Sequence, residues 1–144
     1  MSTILTQTVA RLLAAPTFAV AVAILVKGYA DVGDGFAAGV VAGLGVLLLF
    51  AAFGARETHR VLPVRRAMAV GVAGLLLALV VGFAPVLAGD APFTHYPPPG
   101  EAVVHVGTLE LITAVAFDVG VFGLVLGTVV GALDYAARAR KGSW

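Results

Sequence analysis

Apolar residues along this chain fall into four long runs, separated by short stretches where charged and turn-forming residues gather. A helix needs about 20 mostly apolar residues to cross a bilayer. The runs at about 4–29, 35–53, 67–87 and 106–135 meet that requirement and predict an all-α integral membrane protein, one four-helix transmembrane domain over 1–144. Arg11 and Lys27 lie near the ends of the first run, where long cationic side chains can reach the interface. Pro16 lies inside that run and predicts a kink, which a membrane helix tolerates when neighbours satisfy the freed carbonyl. The second and third runs carry no charge, and the third stops near Pro85. The fourth differs in carrying Glu110 and Asp118.

The polar connections orient the bundle. Arg56, Arg60, Arg65 and Arg66 lie between the second and third runs, and Arg138, Arg140 and Lys141 follow the fourth. The connection from Ala88 to His105 has neither Lys nor Arg, and Lys27 stands beside Asp31 and Asp34 at the first turn. Cytoplasmic loops carry the excess of Lys and Arg, so both termini and the arginine loop are expected in the cytoplasm. The N-terminus has no basic region ahead of its apolar stretch and no convincing cleavage site, so the first run is expected as a retained helix. Pro97-Pro-Pro-Gly100 cannot be helical and predicts a stiff outer loop, either a lid or docking element or a plain connector.

Composition supports the bilayer as solvent. The chain is 60% hydrophobic and 12% charged, with mean hydropathy +1.04, whereas soluble domains carry about 25% charged residues. A net charge of +1 leaves no electrostatic footprint for nucleic acid. With 0 cysteines, disulfides and thiolate metal sites are excluded. His59, His95 and His105 form no haem or zinc signature, and structural or interfacial roles are their default. Asp31-Val-Gly-Asp-Gly resembles half of a calcium loop but lacks the downstream bidentate acid. Gly33-Asp-Gly35 has no preceding strand, which removes a dinucleotide reading. No catalytic triad, phosphate loop or metal motif is present, so no metal and no cofactor is expected.

Two glycine ladders and two acids remain. Gly35, Gly39 and Gly43 repeat every four residues, as do Gly123, Gly127 and Gly131. That spacing leaves a groove along one helix face where another backbone can approach closely. Whether the two ladders face each other or a separate subunit stays open. A carboxylate in hydrocarbon is costly and normally faces protein, water or an ion path. On one helix, Glu110 and Asp118 would stand about 80° apart around the axis and about 12 Å along it, two stations on one wet face. The alternative is that Glu110 sits at headgroup level and Asp118 pairs with a neighbouring helix.

Gly33-Asp-Gly-Phe-Ala-Ala-Gly39, running into an apolar second helix, resembles the MnhB-type small subunit of the multisubunit Na⁺/H⁺ antiporters, the Mrp or Mnh family. Gly107-Thr-Leu-Glu-Leu-Ile-Thr-Ala-Val-Ala-Phe-Asp-Val-Gly-Val121 looks like the last helix of that small subunit, and the likeness runs from about residue 8 to 138. The family turn commonly reads Pro-Gly-Gly-Gly-Phe. Val32 replaces its proline and Asp34 its middle glycine, adding a charge, while Gly33, Gly35 and Phe36 match. The resemblance implies a complex in a prokaryotic plasma membrane, with large subunits similar to the proton-pumping subunits of respiratory complex I as partners. In it, Na⁺ leaves as H⁺ enters, and this subunit supplies part of the ion path or its scaffold. It also implies that Glu110, Asp118 and Asp34 are ion-path candidates and that Gly33, Gly35 and Phe36 shape the turn. Related subunits occur in membrane-bound hydrogenases, so a redox-driven ion pump is the alternative, and a purely structural role a third.

Overall fold

The structure is a computed structural model that describes residues 3–27, 33–96, 102, 104–106, 109–111 and 113–139, the two segments at 104–106 and 109–111 by their backbone. Asp31 and Val32 of the Asp31–Phe36 turn, the Pro97–Gly100 run and the cations Arg140 and Lys141 lie outside the described residues. Helix α1 spans Ile4–Lys27, α2 Asp34–Val61, α3 Ala67–Leu87 and α4 Thr113–Ala139, with a 3-10 turn at Val64–Arg66 leading into α3. All four helices are long and apolar enough to cross a membrane.

The helices depart from the hydropathy reading at three places. Pro16 lies within an α1 that is continuous from Ile4 to Lys27. Helix α2 continues past Phe53 into the polar segment, across a break at Gly54, whose φ of 77° suits glycine best. Beyond the break the Thr58 hydroxyl donates to the Gly54 carbonyl at 2.9 Å, stitching the last turns back onto the helix. The third difference bears on function. Helix α4 begins at Thr113, and the residues before it form an antiparallel hairpin, β1 (Val104–Val106) with β2 (Leu109–Leu111). Glu110 is therefore in β2, opposite His105, and shares no helical face with Asp118. Valine and leucine alternating with His105 and Glu110 is a period-two pattern, which favours strand over helix. Summed hydropathy does not see that period.

Helix α4 runs between α2 and α3, and α1 packs on the far side of α2. Gly35 of α2 meets Asp118 at the start of α4 and Gly43 meets Val129 further along, so these two helices run parallel. Gly71 and Gly74 of α3 meet Gly127 and Gly120 of α4 in the opposite sense. Helix α1 is antiparallel to α2, with Thr17 and Phe18 against Gly45. The start of α1 and the end of α4 thus lie at one end of the bundle, together with the arginines of 56–66.

The interior is built from small residues: Ala10, Ala21, Ala38, Ala42, Ala52, Ala78 and Ala114 are buried, while Leu76, Leu79, Val80, Phe83 and Leu87 of α3 point outward. Lipid tails are as apolar as leucine, so large side chains gain nothing by turning inward, and close backbone contact holds the helices. The two glycine ladders do not face each other. That of α2 lies on α4, and that of α4 lies on α3.

The contacts rank the glycines. A Cβ on Gly127 would overlap the Gly71 nitrogen and the Ala67 carbonyl, neither of which can yield without moving α3. At Gly131 the nearest atom is the flexible end of Met68, at 3.2 Å. Gly127→Ala is expected to destabilise the bundle by about 1–3 kcal/mol, as overpacking does, and Gly131→Ala by far less. Thermal unfolding of both variants in detergent, followed by circular dichroism, measures the difference.

Candidate functional site

Polar side chains gather at the two ends of α4. At its start, Asp118 is 2% exposed although it belongs to a membrane-spanning helix. The Gly33 N–H donates to both of its carboxylate oxygens, at 3.2 and 3.3 Å. Gly33 precedes the first turn of α2 with φ 120°, a backbone conformation that a side chain would strain. The first N–H groups of any helix lack partners within it and carry the positive end of its dipole. Asp118 supplies the missing acceptor and the complementary charge together. Gly35 makes the approach possible, because a Cβ there would overlap the Asp118 carbonyl.

Asp34, in the first turn of α2, is half-buried. Asp34 and His95 are, among the described residues, the titratable side chains that act on Asp118 electrostatically. Among the described residues no Lys or Arg forms an ion pair with Asp34 or Asp118. His95 is held by the loop after α3, which folds back across the bundle. Phe93 lies at φ 63° with its N–H on the Gly82 carbonyl at 2.7 Å. Its ring contacts Phe83 and Phe117 at centroid distances of 5.5 and 5.9 Å. The loop is pinned to α4 by a reciprocal pair: the Tyr96 N–H donates to Thr113 Oγ1 at 2.8 Å, and the Thr113 N–H to the Tyr96 carbonyl at 3.0 Å. The Tyr96 hydroxyl donates to Asp90.

The other end of α4 carries a second buried acid, one that inspection of the spans passes over. Asp134 is 7% exposed and lies between His59 Nε2 at 2.6 Å and the Arg138 guanidinium at 2.5 Å. Asp134 and Arg138 stand four apart on one helix, a spacing that marks a pair in the sequence itself. The partnership with His59, on α2 and 75 positions away, leaves no such trace.

The structure thus brings Asp34 and Asp118 together at the start of α2 and adds His95. It places Glu110 in the hairpin, and Phe36 with 60% of its surface exposed on the outside of α2. Gly33 and Gly35 border Asp118 directly. Among the described residues no group of three or more His, Cys, Asp or Glu side chains is placed to hold a metal ion. What remains chemically is the Asp118 carboxylate, held by backbone donors and, among the described residues, without a Lys or Arg partner, able to accept a proton or to contact a monovalent cation.

Four helices long and apolar enough to cross a membrane make this a multi-pass membrane protein. Residues 5–131 match the family described as a domain related to the MnhB subunit of the Na⁺/H⁺ antiporter, and the chain belongs to that family. It is 29% identical over 124 residues to the B-type Na⁺/H⁺ antiporter subunit of Alkalihalophilus pseudofirmus, covering 86% of this chain and 85% of that one. With the corresponding B-type antiporter subunit of Bacillus subtilis it shares 33% identity over 104 residues, 72% of this chain and 71% of the relative. Its fold superimposes with TM-score 0.68 and 26% identity on a chain of the Mrp complex from Dietzia sp. DQ12-45-1b, over 91% of this chain and 14% of the longer one.

Replacing Asp118 tests the anchoring of α2. Asp118→Ala leaves the Gly33 N–H without its charged acceptor and is expected to cost about 1.5–3 kcal/mol. Asp118→Asn retains a neutral acceptor and should cost less. Thermal unfolding in detergent gives the order, wild type above Asn above Ala.

Proposed function

We propose that this chain is one subunit of a multisubunit Na⁺/H⁺ antiporter in a prokaryotic plasma membrane, working beside large subunits that resemble the proton-pumping subunits of respiratory complex I. The family match over 5–131 carries this reading. Two relatives named as B-type subunits of Na⁺/H⁺ antiporters, and a chain of an Mrp complex, support it. The arginine end of the bundle, with both helical termini, faces the cytoplasm, following the excess of cations on that side.

Within such a complex the acids at the start of α2 are the contribution of this subunit to the ion path. Asp118 is their centre, Asp34 a neighbour of like charge, and Glu110 a further acid on the same side. Binding of a proton or Na⁺ at Asp118 removes or compensates the charge that the Gly33 N–H now stabilises. Ion occupancy is in this way linked to the hold on the first turn of α2. Gly33, Gly35 and Phe36 shape that turn, and the outward-facing ring of Phe36 meets lipid or a neighbouring subunit.

Asp118→Asn in the assembled complex is expected to reduce Na⁺/H⁺ exchange by tenfold or more, on the order of the effect of losing a positioned proton-transfer group, while the complex still co-purifies whole. Exchange is measured in everted membrane vesicles with a pH-sensitive dye across a range of pH. Unchanged exchange throughout removes Asp118 from the path and leaves it as a structural anchor. Affinity purification in mild detergent tests the assembly: a stable lone chain contradicts it, and recovery with large membrane subunits supports it.

A further inference from the structure

At the arginine end, three recesses of the protein surface meet at Leu62. The first is an apolar cleft of about 240 Å³ formed by all four helices and the 3-10 turn, with Phe18, Val46, Val70, Leu126 and Val130 in its wall. Every side chain lining it is apolar except Arg66. The second, of about 660 Å³, lies between α1 and the end of α2 and shares Phe18 and Leu62 with the first. Arg11 stands in it, its guanidinium carbon 5.2 Å from the centre of the Phe53 ring. The third recess, of about 470 Å³, shares Leu62, Pro63, Val64 and Arg66 with the first and adds His59 and Arg65.

The charges at this mouth are unevenly neutralised. Arg60 is paired with Glu57 at 2.7 Å, and Arg138 with Asp134. Arg65 and Arg66 are exposed, and among the described residues no carboxylate lies within ion-pair distance of either. The apolar first cleft and the second recess, where Gln7, Arg11, Glu57 and Thr58 stand beside Phe18, Leu49, Phe53 and Leu62, diverge from a doubly cationic rim and match a ligand with two apolar tails and one anionic head. Free phosphate would satisfy the arginines but leave the clefts empty.

We infer that this end of the bundle is a binding site for an anionic phospholipid, with its acyl chains in the two clefts on either side of Phe18 and Leu62 and its phosphate on Arg65 and Arg66. Basic residues at the membrane surface attract anionic headgroups, and basic recesses between membrane helices bind them. The rim lies where α2 ends and α3 begins.

The purified complex, delipidated in detergent, is titrated with phosphatidylglycerol and with phosphatidylcholine and followed by native mass spectrometry. Phosphatidylglycerol is expected to bind at least tenfold more tightly. The Arg65→Gln/Arg66→Gln double substitution, both sites being exposed, should leave folding intact and weaken phosphatidylglycerol by about fivefold per arginine. Val130→Trp, which fills the first cleft, should weaken both lipids. Equal binding of the two lipids, binding unaffected by the double substitution, or displacement by inorganic phosphate overturns the assignment. So does a photo-crosslinker at Leu62 that traps another subunit in place of lipid.

Discussion

In hydrocarbon two apolar helices gain nothing by hiding from their surroundings, so α4 is held by how closely backbones approach one another. Gly74 and Gly127 remove the atoms that would keep α3 and α4 apart, and Gly35 does the same between α2 and α4. Short backbone distances add many weak dispersion contacts, which fade quickly with separation. The register along α4 follows from where these glycines fall. Because α4 lies between α2 and α3, any shift of it is felt on both sides.

The same two helices, α2 and α4, are strapped together at both ends by carboxylates of α4. Asp118 accepts from Gly33 where α2 begins, and Asp134 meets His59 where α2 is ending. At the first end the partner is the unsatisfied N–H of a helix terminus; at the second it is a side chain, supported by Arg138. No buried side-chain oxygen or nitrogen among the described residues lacks a hydrogen bond. That matters in a medium that cannot substitute for a missing partner. The two ends nevertheless differ in character. Asp134 is enclosed by positive or protonatable side chains, whereas among the described residues Asp118 is hydrogen-bonded by backbone donors, with Asp34 and His95 further off.

Much of the bundle can be read from the chain, and the remainder is long-range. Apolar runs of about 20 residues locate the helices because the bilayer imposes that length. The run beginning at 106 misplaced the start of α4, because valine and leucine add to hydropathy equally in a strand or a helix. Glycine spacing every four residues is visible in α2 and α4, but the surface each ladder meets depends on rotation about the axis, set by contacts far away in sequence. Gly71 and Gly74, which complete the α3 side, do not follow that spacing and are inconspicuous for that reason. Asp118 stands out as an acid in an apolar helix. Its donor, Gly33, is 85 positions away, and no local pattern encodes that pairing.

The contact at Asp118 also brings two proposed roles, ion path and scaffold, onto one atom pair. A carboxylate paired with an arginine would keep its counter-charge whatever ion arrived, and occupancy would have little consequence for the helix beyond it. Here the opposing charge is the end of α2 itself, spread over its first N–H groups. A proton or cation at Asp118 competes with that helix end for the same negative charge. Under the antiporter reading, ion exchange at this position therefore acts on the first turn of α2, where Phe36 faces outward. A buried acid held by side chains at both oxygens, as Asp134 is, lacks that dependence on a helix end, and under the antiporter reading this separates the two ends of α4.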